Sequence, residues 1–157
     1  MTLLALAGFT YALLIQVLHS RADAALQEHA DAIARQIAIE LAAAGNEPDR
    51  RFLAHDLRTW GRYLQVIDRQ GAIREKSDGL QTHPLPVTAA ALRRGLAGQT
   101  SFETFPGLGE HPVRVTTVPV RLGRRIPLLV QAGTSLEGVD AALQRTGYIL
   151  VILTPSV

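Results

Sequence analysis

No side chain that is charged at neutral pH occurs from Met1 to Ser20, and most of that stretch is Leu, Ala, Ile, Val and Phe. At a rise of 1.5 Å per residue, a helix of about twenty residues spans roughly the 30 Å hydrocarbon core of a bilayer. A transmembrane helix over residues 1–20 is therefore expected. A cleaved secretory leader is the alternative, since Ala22-Asp23-Ala24 offers a small-x-small site. It is disfavoured because no basic residue precedes the apolar run and because the run exceeds the roughly 7–15 residues of a leader core. The same missing basic flank removes the usual cue for orientation, a Lys or Arg excess on the cytoplasmic side.

The other end is apolar too. Residues 147–157, Gly-Tyr-Ile-Leu-Val-Ile-Leu-Thr-Pro-Ser-Val, carry no charge and open with an aromatic suited to a membrane interface. Eleven residues fall short of the roughly 20 that cross a bilayer as a helix, so they read as the start of a truncated second transmembrane helix. A buried C-terminal helix is the alternative, and Pro155 does not choose between them because membrane helices tolerate proline. Nearly all the charge lies between the two ends, so residues 21–146 are expected to form a water-facing domain whose termini return to one membrane surface.

Hydrophobic residues make up 47% and charged residues 19%, which excludes a disordered polyelectrolyte. The 157 residues suit one domain with its appendages and exclude a multidomain enzyme. The net charge of +2 arises from 16 basic and 14 acidic residues scattered along the chain, so the high pI does not point to nucleic acid. Fifteen of the basic residues are Arg, and the doublets Arg50-Arg51, Arg93-Arg94 and Arg124-Arg125 read as solvated faces. With no cysteine, disulfides and thiolate chemistry are excluded, while the redox compartment stays undecided.

Ser20 to Ala44 lacks Pro and Gly, and Leu26, Ala30, Ile33, Ile37, Leu41 and Ala44 follow at steps of 4, 3, 4, 4 and 3, one stripe of a long helix over 20–44. Gly45-Asn46-Glu47-Pro48 supplies the stop. Residues 51–134 read as mixed α/β: an ambiguous short helix at 51–61, a hairpin of strands 63–68 and 72–76 around Arg69-Gln70-Gly71, a loop to Pro86, and a helix at 87–96. Strands at 100–105, 112–120 and 126–133 follow, the last two joined at Leu122-Gly123-Arg124. Ser135 reads as the N-cap of an exit helix, 135–146. The class is α+β, a five-stranded antiparallel sheet with helices. The unbroken apolarity of Ile126-Pro127-Leu128-Leu129-Val130 marks its strand as central and covered on both faces. Sheet order does not follow from local pattern. The Leu26, Ile33, Ile37 and Leu41 stripe has two candidate partners, the domain's own sheet or the same helix of a second chain.

Chemistry-bearing residues are sparse. His19, His29, His55, His83 and His111 contain no i, i+4 pair, and His55, His83 and Glu110-His111 are the set that loops could bring together, with solvated loops the simpler reading. No Gly-x-Ser-x-Gly occurs, Gly107-Leu108-Gly109 lacks the third glycine of a dinucleotide loop, and Trp60 beside a strand reads as core. No catalytic, cofactor or metal site is expected.

Taken in order, the N-terminal apolar run, the long amphipathic helix, Tyr-Leu-Gln-Val-Ile-Asp-Arg-Gln-Gly at 63–71, Leu-Ala-Gly-Gln-Thr at 96–100, Val-Arg-Val-Thr-Thr-Val-Pro-Val at 113–120 and Val-Gln-Ala-Gly-Thr-Ser-Leu-Glu-Gly-Val-Asp-Ala-Ala-Leu at 130–143 resemble the extracytoplasmic sensor region of bacterial two-component sensor histidine kinases. The resemblance covers essentially the whole chain. It implies a PAS-like fold flanked by transmembrane helices, a homodimer, an inner-membrane location with the domain on the periplasmic or extracellular side, and an unidentified small-molecule, ion or protein stimulus. In that family a second span, a HAMP linker and a cytoplasmic kinase core follow. None of the HAMP segment, the His-Glu phosphoacceptor motif or the glycine-rich ATP lid is present here, so an ATP-dependent kinase activity would belong to residues outside this sequence. The expected function is a signal-sensing input module that works by helix displacement. Its alternatives are a membrane-anchored binding or scaffold domain without a kinase, and the input module of a chemoreceptor or cyclase.

Overall fold

The computed structural model describes residues 2–45, 63–80, 83–106, 108 and 110–137. Helix α1 runs without a break over Thr2–Ala43, 42 residues or about 63 Å. Its Ala- and Leu-rich sequence has Gly8 as its single helix breaker, and it ends where Gly45 turns to φ 69°, with the Ala44 amide donating to the Glu40 carbonyl at 2.9 Å. The strands are β1 (Tyr63–Asp68), β2 (Ile73–Lys76), β3 (Ser101–Phe105), β4 (Val113–Leu122) and β5 (Arg125–Ser135), with a 3-10 turn at Asp78–Leu80 and helix α2 at Ala89–Leu96.

These strands form one antiparallel sheet in the order β2-β1-β5-β4-β3. The apolar strand β5 is central, as its composition requires. On one sheet face Leu64, Val66, Val118, Val120, Leu128, Val130 and Ala132 meet Leu26, Ala30, Ile33, Ala34, Ile37 and Leu41 of α1. On the other face Leu80, Leu85, Val113 and Val115 form a second cluster with Tyr63, Phe105 and Leu108. Alternation along the strands divides the two sets.

Local chemistry sets the connections. Asp68 closes the β1–β2 turn, its Oδ1 accepting from the Gln70 and Ala72 amides at 2.9 Å each, while Gly71 takes φ 84°. Thr88 caps α2: its hydroxyl accepts from the Ala91 amide at 3.0 Å and donates to the Glu103 carboxylate. That extended cap explains why the helix begins at Ala89 and not at Val87 as expected.

Strand ends depart from expectation in one direction. β4 runs on to Leu122 and β5 to Ser135 because ladder pairing extends from Leu122↔Arg125 to Val113↔Ser135, and the Leu136 amide then donates to the Pro112 carbonyl at 2.9 Å. Ser135 thus ends a strand, where the expectation had an exit helix beginning. Its hydroxyl still accepts from the Glu137 amide at 3.2 Å, the bond a cap would make.

The short helix expected at 51–61, the rest of the exit helix, and the apolar end 147–157 lie outside the described residues, as do His55 and Trp60. Among the described residues no helix is long and apolar enough to cross a membrane. The side chains of residues 1–7, Thr10, Tyr11, Leu14 and Leu18 are not among those described, and the span expected over 1–20 rests largely on them.

Candidate functional site

Leu26, Ile33, Ile37 and Leu41 have their partner in the chain's own sheet, where each is at most 7% exposed. The stripe is therefore not available as a seam with a second chain. Ala30 and Ala34, also buried, let the helix axis lie close on the strands.

Near the junction between the uncharged stretch and this packed half, α1 is locked to the sheet. Arg114 projects from β4 toward α1 and grips Asp23 with a two-pronged fork, Nε to Oδ1 at 2.8 Å and Nη2 to Oδ2 at 2.7 Å. Its third nitrogen donates to Thr104 Oγ1 at 3.0 Å, and the guanidinium stands 5.5 Å from the centre of the Phe102 ring. One arginine so ties the helix, β4 and edge strand β3 together. Both side chains are about three-quarters buried, and the Asp23 hydrogen bond raises the Arg114 pKa further above its ordinary value against the effect of burial. Nothing local in the sequence announces this pair, whose members are 91 residues apart.

A second polar feature crosses the opposite face. Gln65, Gln131, Thr117 and Ser101 stand in register on four neighbouring strands and are all buried. Gln65 donates to Gln131 Oε1 at 2.6 Å and to the Leu85 carbonyl at 2.8 Å, and accepts from the Leu85 amide at 3.0 Å. Gln131 donates to Thr117 at 3.2 Å and to the Pro86 carbonyl at 3.3 Å. The row thus holds the segment before α2 down on the sheet. A polar row inside the strands, where apolar residues would serve packing better, is a signal present in the sequence that strand propensity does not register.

Where β1 begins and β5 ends, an open cleft of about 520 Å³ is lined by Tyr63, Glu110, His111, Gly133, Thr134, Ser135 and Glu137. It joins the β3–β4 loop to the start of the exit segment. Of the described histidines, His111 alone lines this cleft; His19 donates from Nδ1 to the Ile15 carbonyl within α1 at 2.9 Å. Among the described residues no group of three His, Asp or Glu side chains could hold a metal ion. Ser77 is committed to structure, its hydroxyl accepting from the Leu64 amide at 3.0 Å.

A sheet braced on a long helix, with a clamp between them and a cleft at the same end, defines an α+β domain. The chain belongs to the two-component sensor kinase N-terminal family, whose model matches residues 1–146, and is thus the sensor region of such a kinase. No curated protein matches the chain significantly.

Proposed function

We propose that this sensor region is a membrane-bound, PAS-like input module that carries a ligand or envelope state across the bilayer by displacing α1. The observation that carries the reading is the continuity of one helix from the uncharged residues 2–20 into the half that packs on the sheet, with the Asp23–Arg114 clamp at the junction. Phe9, Leu13 and Val17, spaced by four and exposed, fit a lipid-facing stripe. The five-stranded antiparallel sheet covered on both faces supports the PAS-like assignment. A stimulus bound in the cleft would join the β3–β4 loop to the exit segment, and it shifts the helix to the extent that it binds two arrangements with different affinity.

On this reading the domain lies on the periplasmic or extracellular side, and an ATP-dependent histidine kinase core belongs to the longer parent chain. A homodimer forms through the face of α1 turned away from the sheet, where Ala25, Ala32 and Ile39 recur every seven residues and are exposed. The cysteine-free chain provides a clean labelling test. With Gln99→Cys, a membrane-impermeant maleimide is expected to label the protein in cells whose inner membrane is intact. Labelling only after that membrane is breached would reject the extracytoplasmic placement.

A further inference from the structure

Five arginines crowd the end of the domain opposite the Asp23–Arg114 clamp. Arg93 and Arg94 lie in the last turn of α2; Arg121 closes β4; Arg124 sits in the β4–β5 turn and Arg125 opens β5. All five are exposed. Arg121 joins the two groups by donating from Nη2 to the Gly98 carbonyl just past α2, where the Gln99 amide also donates to the Arg94 carbonyl. No Asp or Glu occurs in residues 79–102 or 111–136, and no ion pair holds Arg93, Arg94, Arg124 or Arg125 among the described residues.

Part of this charge has a local use. Arg93 and Arg94 favour the negative end of the α2 dipole, and Arg121 satisfies a carbonyl beyond its last turn. Arg124 and Arg125 serve neither purpose, and five like charges on one pole repel one another. Guanidinium forks match carboxylate and phosphate groups.

We propose that this arginine pole is a docking surface for an acidic segment of a partner protein. Position excludes the lipid of the anchoring membrane, a step that rests on the membrane reading above: β4 alone sets Arg121 about 23 Å beyond Arg114, more than two Debye lengths from the Ser20 end. Among the described residues no aromatic side chain stands beside the five arginines to stack a base, as single-stranded nucleic acid requires. The pole is a turn and a helix end, and the cleft of about 520 Å³ that could enclose a small molecule lies at the other end of the sheet. An extended acidic polypeptide meets all three conditions.

The test uses the full chain in nanodiscs of zwitterionic phosphatidylcholine, titrated with a fluorescent oligoglutamate peptide and, in a parallel arm, with inorganic polyphosphate. The expected result is peptide binding that weakens steeply with added salt and loses about tenfold or more in affinity in the Arg124→Glu, Arg125→Glu double variant. Those two positions lie in an exposed turn, and unchanged far-ultraviolet circular dichroism confirms that the variant is folded. Equal peptide affinity in the variant, absence of peptide binding, or binding of polyphosphate in preference to the peptide would each overturn the proposal. The maleimide result is independent of this titration, so a failure of the membrane reading and a failure of the docking surface are told apart.

Discussion

Two ion pairs show how differently the same chemistry is used. Arg74 meets Asp68 on an exposed hairpin, its own side chain 55% exposed, whereas Arg114 meets Asp23 between two packed elements. The first is a turn device. Burial pushes the Asp68 carboxyl up, but the Ala72 and Gln70 amides and the Arg74 guanidinium together hold it below its ordinary value. A lowered folded-state pKa contributes stability above the unfolded-state value near 3.9 and loses it as pH falls through the folded-state value. Asp68→Asn is therefore expected to lower stability at neutral pH and to bring the variant and parent unfolding curves together below about pH 4, as measured by urea denaturation across pH. The Arg114 pair binds elements and not a turn. Replacing Arg114 with Leu is expected to cost about 1–2 kcal/mol in urea unfolding, partial exposure keeping it under the value of a fully buried pair. The turn Arg69-Gln70-Gly71 that Asp68 closes was visible in the sequence, with Asp68 itself read as the end of the strand before it; the Asp23–Arg114 pair was not, because long-range pairing leaves no mark on local pattern.

Elements were readable to the degree that their cause is local. The 4-3-4-4-3 stripe of α1, the β1–β2 hairpin and the Gly-terminated α2 all carry their own signals and are found within a residue or two of expectation. Strand ends and sheet order depend on partners far along the chain, such as Gln65 against Gln131, 66 residues apart, and so the ladder runs on through Ser135, whose hydroxyl accepts the expected cap bond from the Glu137 amide as well. The apolar stripe itself shows what periodicity cannot decide: spacing marks a buried face without naming what buries it. Neighbouring isoleucines now separate the two answers. Ile37 is 1% exposed against the sheet and Ile39 is 64% exposed on the far face. Ile37→Asp places a charge in the core and is expected to cost about 4 kcal/mol or more, a large share of a typical domain's stability. Ile39→Asp is expected to leave the unfolding midpoint nearly unchanged and to abolish the homodimer in sedimentation or cross-linking. A persistent dimer in that variant would move the seam off α1.

For the whole molecule, the uncharged first twenty residues constrain more than any motif, because on the proposed reading they tie the fold to a membrane surface. The order of segments from 63 to 143 was enough to resemble a sensor region, and the family match over residues 1–146 establishes that membership. No residue in the chain names the stimulus, and the cleft proposed for it, lined by Glu110, His111, Tyr63 and Glu137, is assembled from three separate stretches and is invisible until they fold together. The account makes α1 the moving part and the Asp23–Arg114 clamp the joint that couples it to the sheet. The most direct measurement is autophosphorylation of the full-length parent kinase in membrane vesicles for Asp23→Ala, Arg114→Ala and the double variant. The account predicts that each single variant shifts the basal rate in the same direction and that the double variant shifts it no further, as for two residues acting through one contact. Unchanged rates in all three, or single effects that add in the double variant, would contradict it.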